Sequence, residues 1–134
     1  MTDHKKDFIV IDDNKLDCFI GQKIILNSGL CGEISIFLDA SEALAHIKNT
    51  AGNENTGNHG KIIIFVDIQM PLMNGFEFVE AFEKLAVEIQ KNYVIYMLSS
   101  SINETDLNRV RSYGSVKQVI SKPLSVKKLL SLFE

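Results

Sequence analysis

The sequence predicts an α/β domain built on a parallel sheet of five strands. Five short apolar runs alternate with segments of helical periodicity, which is typical of successive β-α-β units. Two of these runs, at residues 8–11 and 62–66, are apolar throughout, as expected of central strands that are covered on both faces. The 134 residues suffice for one such domain and are too few for a second large one.

The predicted strands are short runs in which apolar residues predominate. They comprise residues 8–11, 34–38, 62–66, 93–98 and 116–120. The second and fifth runs also contain polar residues, so we predict that these two strands lie nearer the edges of the sheet.

Five helices are predicted from apolar residues spaced three and four positions apart. The predicted inward-facing residues are Leu16, Phe19, Ile20 and Ile24 in the first helix, Ala40, Leu44 and Ile47 in the second, Val79, Phe82, Ala86 and Ile89 in the third, Leu107 and Val110 in the fourth, and Val126, Leu129, Leu130 and Phe133 in the fifth. Asp39, Asn103 and Ser125 stand where the second, fourth and fifth helices are predicted to begin. Because the fourth helix has the fewest apolar residues, we expect it to move at the lowest cost.

A single domain spanning residues 1–134 is predicted, with a core from about residue 7 to residue 134. Residues 50–60 are rich in Gly and Asn and offer nothing to pack, so this segment is predicted to be a surface loop insertion. The chain ends within the last predicted helix, and we expect no output domain after it.

The composition is that of an ordinary globular domain, with 46% hydrophobic residues, 23% charged residues and a net charge of −3. This slightly acidic balance gives no reason to expect nucleic-acid binding. No apolar run approaches the roughly 20 residues that span a bilayer, and the first residues lack the pattern of a signal peptide. We therefore expect a cytoplasmic protein without membrane attachment, in which Cys18 and Cys31 form no disulfide.

Polar side chains follow the carboxyl ends of four predicted strands. Asp12 and Asp13 follow the first strand, Asp67 the third, Ser99 the fourth and Lys122 comes just after the fifth. Each is ordinary at such a position, since Asp caps helices, Ser forms turns and Lys is solvated. Open parallel sheets bind their ligands at this edge, however, and the joint placement predicts a functional site there.

Carboxylate oxygens are the ligands that Mg²⁺ prefers, and a nearby lysine adds positive charge that suits a transferring phosphoryl group. A carboxylate can itself be the nucleophile and form an aspartyl phosphate. Asp67 is the best candidate, because it ends a central strand and is followed by a turn-forming segment that contains Pro71 and Gly75.

Residues 66–75, which read VDIQMPLMNG, together with Asp12-Asp13 before them and Lys122-Pro123 after them, resemble the receiver domains of two-component response regulators, including the chemotaxis receivers. The resemblance covers nearly the whole chain, with the motifs in the family's order and spacing. It implies a flavodoxin-like sheet of five parallel strands in the order 2-1-3-4-5, with helices on both faces.

The resemblance also implies a set of metal ligands. Asp67 resembles the phosphoacceptor, and Asp13 resembles the direct Mg²⁺ ligand. Asp12 would act on the metal through a bound water, and the backbone carbonyl of Gln69 would be a further ligand. The expected cofactor is Mg²⁺.

Three further positions match residues that act on the phosphoryl group in this family. Ser99 stands where a hydroxyl bonds a phosphoryl oxygen after transfer, and Lys122 resembles the lysine that pairs first with the acceptor and then with the phosphate. Pro123 resembles the proline that usually follows a cis bond. Val119 occupies the position where the family often has an aromatic switch residue, and here the sequence departs from the family.

Two residues are predicted to govern how long the phosphoryl group survives. Its hydrolysis needs a water aligned with the leaving carboxylate oxygen. Gln69 and Ser101 lie two positions beyond the acceptor and the hydroxyl residue, respectively. Gln69 has the longer reach of the two, so we expect it to have more influence on an intermediate lifetime.

The resemblance implies a phosphoacceptor that receives its phosphoryl group from a sensor histidine kinase or a histidine phosphotransfer protein. A downstream protein is expected at the face formed by the fourth helix, fifth strand and fifth helix. Such a domain assists its own phosphorylation but is not a conventional enzyme.

Two other classes of protein remain open from the residues. A small phosphohydrolase with an Asp nucleophile usually has a second Asp two positions later, where this chain has Gln69. A flavodoxin-like cofactor carrier would have a phosphate-binding loop after the first strand, where Asp12 and Asp13 would repel a phosphate. Turnover of a phosphate ester, or a flavin absorption band, would distinguish them.

Overall fold

Five parallel strands form one sheet in the order β2-β1-β3-β4-β5. They are β1 Lys6–Ile11, β2 Cys31–Phe37, β3 Ile62–Asp67, β4 Tyr93–Ser99 and β5 Val116–Ser121. The structure is a computed structural model that describes residues 5–50 and 60–133. All five predicted strands and the predicted order are confirmed, with β2 and β5 at the two edges.

Helices cover both faces of the sheet and bury a separate cluster of apolar residues on each. The helices are α1 Lys15–Asn27, α2 Ala40–Asn49, α3 Gly75–Phe82, α4 Val87–Gln90, α5 Glu104–Arg111 and α6 Val126–Ser131. Buried residues of α2, α3 and α5 belong to one cluster, and those of α1 and α6 belong to the other. The sheet is therefore the middle layer of three, and its strand ends are left open at the two rims.

The predicted inward face of the first helix is wrong for three of its four residues, while the fourth, Ile24, is half-buried and packs against the core. Leu16, Phe19 and Ile20 on α1 are 64%, 56% and 42% exposed, whereas Cys18 and Ile25 are buried. Apolar residues lie around most of this helix, so the spacing alone did not determine which side meets the sheet. As a result, an apolar surface on α1 faces outward.

The predicted third helix is two helices. α3 ends at Phe82, and after a turn the single-turn α4 begins behind Ala86, which is exposed rather than buried. The side-chain amide of Gln90 donates hydrogen bonds to the carbonyls of Glu83 and Leu85, at 3.0 and 2.7 Å. These carbonyls therefore have partners outside a continued helix, which an apolar periodicity does not reveal. The predicted fourth and fifth helices correspond to α5 and α6.

The other predicted helix positions are mostly confirmed. Asp39, Asn103 and Ser125 cap α2, α5 and α6 through their side chains. Leu129 is buried, as predicted, but its neighbour Leu130 is exposed. Leu129 and Leu130 are adjacent in α6 and point in directions about 100° apart, and Leu129 is the buried residue of this helix.

The predicted loop insertion at residues 50–60 lies largely outside the described residues, which include only its ends, Thr50 and Gly60. Cys18 and Cys31 are free thiols, of which Cys18 is buried. Within the described ranges, the helices are all too short or too polar to cross a bilayer.

Candidate functional site

The carboxyl ends of four neighbouring strands converge on one rim of the sheet. The register pairs Ile11 of β1 with Val66 of β3, so Asp12 and Asp67 follow side by side. Across the sheet, Ser99 of β4 pairs with Ser121 of β5, directly before Lys122. The backbone N–H of Lys122 also donates a hydrogen bond to the carbonyl of Ser99, at 2.8 Å.

Lys122 is the centre of the site. Its ammonium nitrogen, Nζ, lies 2.7 Å from Asp12 Oδ2, 3.0 Å from Asp17 Oδ2 and 3.5 Å from Asp67 Oδ2. Despite its partial burial, these carboxylates hold the pKa of Lys122 above its usual range, so the ammonium stays charged. The peptide bond between Lys122 and Pro123 is cis, as the resemblance implied.

Three carboxylates stand close enough to share one cation. Oxygens of Asp12, Asp13 and Asp67 lie within 4.8 Å of one another. Asp12 and Asp67 are only 3% and 7% exposed, while Asp13 is open to solvent. Oxygen donors of this number and charge, with one side open for water, fit Mg²⁺. The three residues therefore meet the requirements of a magnesium site.

The carboxyl of Asp67 sits in an environment that disfavours its charge. Burial raises its pKa most, the neighbouring charge of Asp12 raises it further, and Lys122 opposes both effects. A buried carboxylate without a positive partner raises the free energy of the folded state, and a bound cation offsets this cost. The site is thus poised to take up a positive charge beside Asp67.

The remaining predicted residues surround this centre. The backbone N–H of Gln69 approaches Asp67 Oδ1 at 3.4 Å, and the residue is exposed. The hydroxyl of Ser99 is buried and bonded within its own loop, where it donates to the carbonyl of Ser101 at 3.0 Å and accepts from its N–H at 3.1 Å. Val119 is half-buried on β5 and packs against the larger core cluster.

We did not predict Asp17 from the sequence, and the sequence did not reveal how closely Gly75 packs on the site. Asp17, in the first turn of α1, reaches Lys122. It could have been found, since it belongs to the helix that begins just after Asp12 and Asp13. Gly75 begins α3, and a Cβ at this residue would lie 2.6 Å from the backbone carbonyl oxygen of Asp67. That close approach has no signal in the spacing of side chains.

Comparisons with known proteins agree with this geometry. Residues 8–134 match the family model of the response regulator receiver domain. A response regulator receiver protein from Dyadobacter fermentans is 29% identical, with a TM-score of 0.81 over 95% of this chain and 94% of that one.

A two-component response regulator from Cytophaga hutchinsonii is 26% identical, with a TM-score of 0.82 over 96% and 95% of the two chains. The CheX-CheY-BeF3-Mg²⁺ complex from Borrelia burgdorferi contains a chain that is 25% identical, with a TM-score of 0.72 over 94% of this chain and 84% of that chain. The family match over nearly the entire sequence, on a sheet of this order, establishes that the chain belongs to the response regulator receiver domains.

Proposed function

We propose that this chain is the phosphoacceptor of a two-component or phosphorelay system and takes a phosphoryl group onto Asp67 with the help of Mg²⁺. The observation that carries the proposal is the convergence of Lys122 on Asp12 and Asp67, next to Asp13, at the carboxyl rim of the sheet. The donor would be the phosphohistidine of a sensor kinase or of a histidine phosphotransfer protein. Such signalling takes place in the cytoplasm, where we place the protein.

The charges at the carboxyl rim would support the transfer of a phosphoryl group to Asp67. A carboxylate oxygen of Asp67 attacks phosphorus, the P–N bond of the phosphohistidine breaks, and its electron pair returns to the imidazole nitrogen. Lys122 offsets the negative charge that gathers beside Asp67. Asp12, Asp13, Asp67 and the carbonyl of Gln69 would hold Mg²⁺, which when bound supplies further positive charge to the phosphoryl oxygens.

The phosphorylated state would be read by Ser99 and Lys122. The buried Ser99 hydroxyl is bonded to Ser101, and a phosphoryl oxygen on Asp67 would offer it a charged acceptor instead. Exchange of one bond for the other would pull on the loop that leads into α5, where only Val110 is fully buried. With Val119 at the usual aromatic position, this loop and not a ring would carry the change to the α5-β5-α6 face.

Helix α5 is nevertheless tied to α3. Arg109 donates a hydrogen bond to Glu80 at 3.0 Å and lies 4.2 Å from the centre of the Phe76 ring. Tyr113, just beyond α5, donates to the same carboxylate. A shift of α5 in response to phosphorylation would therefore have to strain or release this exposed polar contact, which is a small cost.

The exposed apolar surface of α1 is a suitable docking site for the donor. Leu16, Phe19 and Ile20 lie on the helix that begins immediately after Asp13, so a protein covering them would stand next to Asp67. Contiguous patches of large exposed apolar side chains often mark sites where another protein binds. A phosphohistidine on the covering protein could then reach the acceptor.

Phosphorylation by acetyl phosphate tests the proposed function without a partner. We expect the wild type to gain the mass of one phosphate when Mg²⁺ is present and to gain none in excess EDTA. Asp13→Ala should lose the gain and the stabilisation by Mg²⁺, which for the wild type is about 1.4 kcal/mol at a metal concentration ten times the dissociation constant. Intact-mass spectrometry and urea unfolding measure these effects.

The proposed function would be wrong if the wild type gained no phosphate under these conditions. Steady turnover of a generic phosphate ester would point to a phosphohydrolase instead. Unchanged stabilisation of Asp13→Ala by Mg²⁺ would remove that carboxylate from the metal site.

Substitution of Phe19 tests the docking surface. Phe19→Ser should slow transfer from a phosphorylated kinase or phosphotransfer protein by about tenfold or more, because large buried aromatic residues dominate such interfaces. Phosphorylation by acetyl phosphate should be unchanged, since it needs no docking. The control is Leu26→Ser, at the far end of α1 and 51% exposed. Equal slowing with both phosphodonors, or equal slowing in the control, would refute the assignment.

The lifetime of the phosphoryl group should depend on Gln69 more than on Ser101. We expect Gln69→Ala to change the rate of phosphate loss by a factor of several, because its amide can reach a water beside Asp67. Ser101→Ala should change it less. Phosphate loss is followed by mass spectrometry in excess Mg²⁺, and a larger effect of Ser101→Ala would reverse our ranking.

A further inference from the structure

Asp17 introduces a competing carboxylate into the site. It lies in the first turn of α1, and its side chain is 41% exposed, so it is close to solvent while Lys122 is only 17% exposed. Its Oδ2 accepts a hydrogen bond from Lys122 Nζ at 3.0 Å. The bond joins α1 to the loop after β5, which are 105 residues apart in the chain.

The ammonium of Lys122 is shared unequally among its neighbours. Asp12 and Asp17 are both within hydrogen-bond distance, at 2.7 and 3.0 Å, whereas Asp67 is the most distant of the three, at 3.5 Å. The two closest carboxylates thus hold the ammonium nearer to the α1 side of the site, and its contact with Asp67 is the longest of the three.

Packing does not force this position on Lys122. A cavity of about 90 Å³ lies beside it, lined by Asp17, Ile20, Gly21 and Leu124 among others. At Gly21 an added Cβ would meet no atom within 4 Å, so the inner side of α1 is loosely filled here. The balance of charges therefore decides where the ammonium rests.

We propose that Asp17 is a positioning residue that holds Lys122 in the unphosphorylated protein and competes for it with the phosphoryl group on Asp67. This inference rests on the proposed function. The phosphoryl group carries about 1.5 to 2 negative charges, against the single charge of the carboxylate that it replaces, and draws the ammonium from Asp17 toward Asp67. The bond to Asp17 exists mainly in the unphosphorylated state, so it favours that state and lowers the affinity of the site for a phosphoryl group.

The test uses the full chain and beryllium fluoride with saturating Mg²⁺ as a mimic of the phosphoryl group. Asp17→Asn removes the charge and keeps the shape, and Asp17→Glu restores the charge. The control is Glu42→Gln, which removes an exposed acid from the first turn of α2. Backbone amide spectra report the dissociation constant, and the ¹⁵N signal of the Lys122 ammonium reports its surroundings before any addition.

We expect Asp17→Asn to shift the Lys122 ammonium signal and to tighten beryllium fluoride binding about two- to fivefold, the range of a partly exposed ion pair. Asp17→Glu should return both readouts toward the wild type, and Glu42→Gln should change neither. The gain in affinity should vanish when Asp17→Asn is made in a Lys122→Gln background, because the competition acts through Lys122.

Unchanged binding in Asp17→Asn, with the wild type binding normally, would overturn the inference and leave the proposed function intact. A gain that persists in the Lys122→Gln background would also overturn it, since the effect would then be simple charge repulsion. If the wild type bound no beryllium fluoride at all, the proposed function would fail, and this inference with it.

Discussion

Asp67→Asn should abolish phosphorylation and at the same time stabilise the metal-free protein. The loss follows because an amide cannot replace the attacking carboxylate, and we assign the other two carboxylates of the cluster, Asp12 and Asp13, to the metal. The gain in stability follows from the raised pKa of the Asp67 carboxyl. Both effects result from the removal of one buried negative charge, which phosphorylation needs and which destabilises the folded protein.

The raised pKa of Asp67 sets the sign of the stability effect. A carboxyl whose pKa is raised in the folded state contributes stability below its unfolded pKa and loses it as the pH rises through the folded pKa. At neutral pH the charged Asp67 therefore lowers the free energy of unfolding, and asparagine removes this effect. We expect a gain of roughly 0.5–2 kcal/mol, the usual range for a single stabilising substitution.

Intact mass after acetyl phosphate treatment and urea unfolding in EDTA measure the two effects of Asp67→Asn. The stability difference from the wild type should shrink at acidic pH, where Asp67 is protonated in both states, and also when Mg²⁺ is added. Glu42→Gln is the matched control and should gain one phosphate like the wild type. A phosphate on Asp67→Asn would assign the acceptor to another residue, and a less stable variant at pH 7 would contradict our account of its charge.

Gly75→Ala should destabilise the protein by about 1–3 kcal/mol, the usual cost of forcing an extra carbon into a filled space. Its Cβ would lie 2.6 Å from the Asp67 carbonyl oxygen and 2.9 Å from the Ile68 Cα. Both atoms belong to the backbone, so neither can rotate away. The start of α3 would have to move from β3, and the segment that follows the acceptor would move with it.

Gly21→Ala is the control for this substitution. An added Cβ at Gly21 meets no atom within 4 Å, and alanine is favoured over glycine inside a helix by about 1 kcal/mol. We therefore expect opposite signs for the two variants in urea unfolding. Comparable destabilisation by both would show that the close approach at Gly75 is not the cause, and wild-type stability of Gly75→Ala would show that the backbone yields freely.

The strands and most of the helices of this protein could be predicted from short-range patterns in the sequence. Alternating apolar runs and helical stretches led to five strands, with the polar-containing runs of β2 and β5 at the edges. Strand ends led to Asp12, Asp13, Asp67 and Lys122, because parallel strands bring their carboxyl ends to one rim whatever the details of packing. These features depend on spacing along the chain, which a sequence records directly.

Two features that depend on how helices pack could not be predicted from the apolar pattern. The spacing of Leu16, Phe19 and Ile20 suggested burial, yet the sheet accepts the side of α1 that carries Cys18 and Ile25. The break after α3 depends on Gln90, whose amide reaches back to carbonyls of the preceding turn. In each case the apolar pattern was compatible with two arrangements, and contacts that this pattern does not record selected one.

The site at the carboxyl rim also has features that the sequence predicts and features that it does not. The spacing of residues along the chain predicted that an acidic pair, an acceptor and a lysine would gather at this rim, because each follows its own strand. It predicted neither that Lys122 lies nearer to Asp12 and Asp17 than to Asp67 nor that Gly75 packs on the acceptor's backbone. Charge sharing and close packing depend on differences of a few tenths of an ångström between contact distances, and the spacing of residues along the chain does not encode such differences.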